Sequence, residues 1–222
     1  ERRVVALDYP DEISSAAALV AGIAALVHGL DAGPTDIVGG SYSGLVAQLL
    51  ASHHPQCVRS LLLSNTSAPA RSHALGWKGG AALLALLPMP WLLRQMQAAV
   101  PRFLPDETDE QRFWRGYLTA ALPTWPQAAL VARARILSAM HSRSNASRLR
   151  TQAWRGPVLI VDATEDRLTT ARQRQALHDL YPQAQIVSIG GKGHAASLDA
   201  ASSYITLYRE FLCSLPARPQ AG

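Results

Sequence analysis

One stretch constrains this chain more than any other: Asp36-Ile37-Val38-Gly39-Gly40-Ser41-Tyr42-Ser43-Gly44. Ile37 and Val38 make a strand-like run that ends in glycines and a serine, and Leu45, Val46, Ala47, Gln48, Leu49 and Leu50 follow at once as a helix-like run. A serine at the apex between strand and helix is the layout of a nucleophile elbow, whose sharp backbone needs small residues two before and two after the serine. Gly39 fills the first place. Ser43 fills the second, with Gly44 behind it, so the fit to G-x-S-x-G carries one substitution. Ser43 as the apex fits worse, because Ser41 and Leu45 would flank it. An ordinary glycine-rich strand-to-helix loop would use the same residues, and the stretch alone leaves both readings open.

The rest of the chain decides what surrounds that turn. Its 222 residues suffice for one buried core, or a core with an insertion. The charge of +5 would suit a nucleic-acid partner. The basic residues are scattered arginines, however, with only Lys78 and Lys192 as lysines and Arg2-Arg3 as the one adjacent pair, so no nucleic acid is expected. Cys57 and Cys213 give no disulfide framework, which fits a reducing, cytoplasmic setting. The most apolar run, Gly79 to Leu93, is broken by Pro88 and Pro90 and is too short to span a membrane. No signal peptide is visible, but the chain opens on Glu1 and runs almost directly into a strand-like segment, so upstream sequence is expected to be missing.

In chain order, Arg3 to Leu7 reads as a buried strand ended by Asp8-Tyr9-Pro10, and Asp11 to Leu30 as a helix capped by Asp11 or Ser14. Ile37-Val38 is the next strand. The helix from Ser43 stops near His53, and Val58 to Leu63 is a third strand. Strands alternating with helices predict a parallel sheet covered by helices. From about Thr66 to Arg150 no strand pattern is found. Helical stretches there are interrupted by prolines, and Trp77, Trp91, Trp114 and Trp125 lie among them. Val158 to Val161, a helix over Thr170 to Leu180, and Ile186 to Ile189 resume the sheet pattern. Ala200 to Leu215 closes the chain as an amphipathic helix with Ile205, Tyr208, Phe211 and Leu212 on one face. The division expected is a core over 1–65 and 151–222, with a helical cap over 66–150.

A serine hydroxyl near neutral pH needs a base, and the base needs an orienting acid. Groups that face a ligand in open α/β sheets sit beyond the carboxyl ends of the strands. Asp166, after Val158–Val161, is the chosen acid, with Asp162 and Glu165 as rivals. All three could instead cap the helix that begins near Thr169. His194, in Gly190-Gly191-Lys192-Gly193-His194 after the last strand, is the chosen base. His53 and His54 lie near a helix C-terminus, where a surface role is expected, and His28, His73, His141 and His178 show no partner pattern. Serine, acid and histidine then follow one another in the order found in α/β-hydrolases.

On these residues the chain resembles the α/β-hydrolase superfamily over nearly its whole length. Gly39, Gly40, Ser41, Ser43 and Gly44 look like its elbow, Pro157–Val161 with Asp166 like its acid strand and turn, and Gly193-His194 like its histidine loop. Asp8-Tyr9-Pro10 and Leu63-Ser64-Asn65-Thr66 are similar to the maspardin-like branch, a resemblance that implies a binding protein as the alternative to an enzyme. The resemblance implies a Ser41–His194–Asp166 triad forming an acyl-enzyme, with the Tyr42 N–H in the oxyanion hole. It implies a small or medium apolar acyl substrate under the cap, and no metal or organic cofactor. No H-E-x-x-H or C-x-x-C spacing is present. A scaffold that binds a protein partner, or an acyltransferase, would be built on the same residues. The family's first three strands have no counterpart here. One of them is expected to be missing between Arg3–Leu7 and Asp36–Gly39, together with the loop that supplies the second oxyanion donor. Such a loss typically lowers turnover about 100- to 1000-fold.

Overall fold

The computed structural model describes residues 3–31, 33–104, 107–152, 154–190 and 193–216. Among these residues four parallel strands form one sheet in the order of the chain: β1 (Thr35–Gly40), β2 (Val58–Ser64), β3 (Val158–Ala163) and β4 (Gln185–Ile189). The register sets Gly40 opposite Ser64, Ser64 opposite Val161 and Ala163 opposite Ile189, so the carboxyl ends of neighbouring strands finish close together. Side chains alternate across a strand. Leu61, Leu63, Val158 and Ile160 therefore pack on one face with Leu19 and Val20 of α1 (Ala16–Gly29), Leu49 of α2 (Ser41–His53) and Leu177 of α8 (Ala171–Leu180). Leu62, Leu159 and Val161 pack on the other face with Tyr204 and Phe211 of α10 (Ala201–Ser214). This is the helix-flanked parallel sheet expected from the sequence.

Between β2 and β3 the described residues form five α-helices: α3 (Arg71–Leu86), α4 (Met89–Phe103), α5 (Asp109–Ala121), α6 (Gln127–Met140) and α7 (Arg143–Thr151). α3 packs on α6, α6 reaches α1 and α2, and α5 touches α9 (Ala196–Asp199) just beyond His194. Trp77, Trp91 and Trp125 are each about two-fifths exposed, and Trp114 meets the rings of Phe113 and Tyr117. Among the described residues no helix is long and apolar enough to cross a membrane.

Several local expectations are corrected. Arg3–Leu7 is not a strand: it lies outside any element, with Val4 86% exposed. Its β-branched residues favour extended backbone, but a strand needs a partner, and among the described residues β1 is an edge of the sheet. The first helix starts at Ala16, capped by the Ser15 hydroxyl, which accepts from the Ala18 N–H. α2 begins at Ser41 itself, two residues before the start read from the sequence. On α10, Ile205 is 54% exposed and Tyr204 is buried in its stead, while Tyr208, Phe211 and Leu212 pack toward the sheet as expected.

Candidate active site

Each strand end delivers one part of the site. Ser41 follows β1 directly and has φ +48°, a left-handed conformation that costs a non-glycine residue on the order of 1–3 kcal/mol. The turn is tight enough that a Cβ on Gly39 would come within 2.5 Å of the Ser43 carbonyl oxygen, and one on Gly44 within 2.6 Å of the Thr66 side chain. Glycine is therefore required at both. Ser43 is accommodated, and its hydroxyl hydrogen-bonds Tyr9, whose ring lies 5.7 Å from that of Tyr42. Burial pushes the Tyr9 hydroxyl up, against the lowering effects of that bond and of Arg133. Burial likewise pushes Tyr42 up to about 12. Arg133 of α6 sits over the Tyr9 ring and donates to the carbonyls of Tyr9 and Pro10, tying the helical layer to the segment before α1.

Asp166 follows β3 and is buried, its side chain 1% exposed. Its Oδ1 accepts the N–H groups of Leu168 at 2.8 Å and Thr169 at 2.9 Å, and its Oδ2 lies 2.8 Å from His194 Nδ1. Burial alone would raise this carboxyl. The His194 hydrogen bond and charge, with the two backbone N–H groups, outweigh it and hold Asp166 below its ordinary value. The ionised form thus adds stability that is present above the ordinary carboxylate range and is lost as pH falls through the lowered value. An ionised carboxylate only accepts, so Nδ1 carries the ring proton and Nε2 is left as an acceptor. The Ser41 hydroxyl donates to that Nε2 at 2.8 Å.

Ser41, His194 and Asp166 are thus brought into one hydrogen-bonded line, with Ser41 on the exposed side. The rival acids are elsewhere. Glu165 is exposed, and Asp162 lies 2.7 Å from His178 Nε2, a pairing the sequence pattern did not suggest. The helix-capping reading of Asp166 is partly right, since it takes two N–H groups before α8, but the cap of α8 is Thr170 in a capping box with Gln173. Tyr42 occupies the first turn of α2, where N–H groups have no intrahelical partner, and Gly40 provides no side-chain cap. That leaves the Tyr42 N–H suited to an oxyanion. Two hollows, about 470 Å³ beside Arg112 and Arg115 and about 180 Å³ beside His53 and Asn145, are lined by none of the three residues. Among the described residues no group of three or more His, Cys, Asp or Glu is placed to hold a metal ion.

Sequence reasoning missed Asn65 and Thr66 as parts of this site. Asn65 Nδ2 donates to the carbonyls of Gly193 and His194, and Thr66 Oγ1 donates to the Ser41 carbonyl at 2.7 Å. The available signal was a polar pair immediately beyond the apolar strand β2, at the same edge as Ser41.

A family model described as "Alpha/beta hydrolase family" matches residues 1–204. Among curated proteins, the pimeloyl-[acyl-carrier protein] methyl ester esterase of Neisseria meningitidis serogroup C is 29% identical over 180 residues, covering 81% of this chain and 70% of that protein. Its serogroup B counterpart is 29% identical over 197 residues, covering 88% and 74%. Among solved structures, a thermophilic esterase from Thermogutta terrifontis superposes with a TM-score of 0.72 at 20% identity, over 93% of this chain and 75% of that one. A hydrolase from Pseudomonas aeruginosa gives 0.72 at 21% identity, over 92% and 74%. At these identities the structures establish likeness of fold.

Proposed function

The chain belongs to the alpha/beta hydrolase family, and from that premise we propose that it is a serine carboxylester hydrolase working through Ser41, His194 and Asp166. One observation carries the reading: the unbroken line from Ser41 Oγ to His194 to the buried Asp166, at 2.8 Å in each step. On this reading His194 Nε2 takes the Ser41 proton as Oγ attacks the ester carbonyl carbon. Asp166 holds the ring tautomer and stabilises the imidazolium. The Tyr42 N–H meets the negative charge that develops on the carbonyl oxygen. His194 then gives the proton to the departing alkoxide, leaving an acyl-enzyme. Water, deprotonated by the same nitrogen, releases the acid and restores Ser41. The helices from 66 to 150 act as the cap that shapes the acyl site, with α5 packed on α9 just beyond His194.

The esterase names of the Neisseria relatives favour ester over amide substrates. p-Nitrophenyl esters of increasing acyl length, run beside a methyl ester of a carrier-linked acyl chain, test the reading. Hydrolysis is expected to fall on the order of 10⁴-fold or more in Ser41→Ala. A folded wild-type protein inert toward every ester would overturn the proposal, and product formed only with an added alcohol or amine would identify an acyltransferase instead. A hydrolase with a single oxyanion donor is expected to run about 100- to 1000-fold below one with two.

A further inference from the structure

Asn65 is a buried side chain in a conformation that needs explaining. It is 4% exposed, has φ +45°, and sits directly after β2. Asparagine tolerates the left-handed region better than other non-glycine residues. Its amide is fully engaged. One Nδ2 hydrogen is available for the Gly193 carbonyl at 3.1 Å and the other for the His194 carbonyl at 2.7 Å, while Oδ1 accepts from the Tyr204 hydroxyl at 3.1 Å. This network fixes the orientation of the amide, because the flipped form would press Oδ1 against two carbonyl oxygens. The main chain of Asn65 is tied as well. Its N–H donates to the Val161 carbonyl at 3.1 Å, and its carbonyl accepts from Thr169 Oγ1 at 3.4 Å. Thr169 is one of the two residues whose N–H groups hold Asp166 Oδ1. The next residue, Thr66, holds the Ser41 carbonyl.

One dipeptide therefore bonds to the backbone or turn of all three loops without touching a reacting atom. We propose that Asn65 is a positioning residue that sets the Ser41–His194 distance by holding the histidine loop, with Thr66 setting the serine side of the same gap. The proposal rests on the functional reading above and deepens it. Tyr204, from the opposite face of the sheet, is the orienter of Asn65. A loop held by two hydrogen bonds from one rigid amide keeps its imidazole in place when substrate displaces water, and a misplacement of about 1 Å is enough to cost on the order of 100-fold in rate.

Asn65→Ala, Asn65→Asp and Tyr204→Phe test this. In both Asn65 variants kcat for ester hydrolysis should fall on the order of 100-fold with KM little changed, while thermal unfolding remains cooperative. The proton resonance of His194 Nδ1–H, held by Asp166 in the wild type, should broaden or vanish. Tyr204→Phe keeps the amide and loses only its orienting bond, so the same changes should appear in weaker form. Should the Asn65 variants fail to fold, Tyr204→Phe alone decides the matter. Wild-type kcat together with an unaltered resonance in the folded variants would overturn the proposal, as would a loss confined to KM. Should the wild type itself prove inert to esters, the functional reading falls, and the resonance alone decides whether Asn65 positions His194.

Discussion

Two aspartate–histidine pairs lie close together at the end of β3, and they are nearly equal in length. Asp166 is 2.8 Å from His194, and Asp162 is 2.7 Å from His178. Both carboxylates are buried and both rings are about one-fifth exposed. Their settings differ. Both oxygens of Asp166 are used, and the far nitrogen of its histidine meets a serine on a strained turn. Among the described residues Asp162 leaves Oδ1 buried without a partner, and its histidine belongs to a helix, with no serine hydroxyl bonded to the ring. An acid beside a histidine is thus a common structural fitting. A loop origin for the ring, a fully satisfied acid and an exposed serine set apart the pair to which the proposed mechanism gives a chemical use.

The contrast between the pairs breaks most visibly at Asp166. Asp166→Asn keeps the shape but presents the wrong hydrogen-bonding partner to Nδ1, and ester turnover is expected to fall on the order of 10⁴-fold. Steady-state kinetics on the folded variant would check this.

A third histidine sharpens the contrast by having no carboxylate partner among the described residues. His141 is 2% exposed, its Nδ1 accepts the Ala70 N–H at 3.0 Å, and its ring lies 5.1 Å from that of His73. Burial, with a smaller effect from His73, pushes it down to about 4 from its ordinary 6.5. The unfolded chain therefore binds the extra proton first. Stability is full above the ordinary value and is lost as pH falls toward the lowered one, by up to about 1.4 kcal/mol per pH unit. Urea unfolding measured across that window should show the slope, and His141→Gln should flatten it.

The smallest effect is expected of the same isosteric change in the other pair. Asp162→Asn should leave turnover unchanged and cost about 1 kcal/mol of stability, read from the urea midpoint. An activity loss there as deep as in Asp166→Asn would erase the distinction between the pairs.

What is legible in the sequence follows the same division. Ser41, Asp166 and His194 can be named because each stands just beyond an apolar strand run in a fixed chain order, which is a local signal. Asp162 and His178 cannot be paired from the sequence, because the contact depends on how α8 docks against β3. Asn65 shows in the sequence only as half of a polar pair beyond an apolar strand, with a likeness to a family branch, and its bonds to residues 193 and 194 span more than a hundred positions. Arg3–Leu7 reads as a strand and is not one, because β-propensity describes a residue's fit to a sheet, and the partner strand is not written in the segment itself. The start of α2 differs because the elbow begins its helix at the strained serine, where propensity would not put it.

The central claim is that Ser41 alone among the serines is activated, and that Asp166, not Asp162, supports the activation. Labelling with a fluorophosphonate, followed by peptide mass mapping, measures this directly in the wild type and in Ser41→Ala, Asp166→Asn and Asp162→Asn. A single adduct is predicted on the peptide containing Ser41, absent in Ser41→Ala, strongly slowed in Asp166→Asn and formed at the wild-type rate in Asp162→Asn. An adduct on another serine, no adduct on the folded wild type, or equal rates in the two aspartate variants would contradict it.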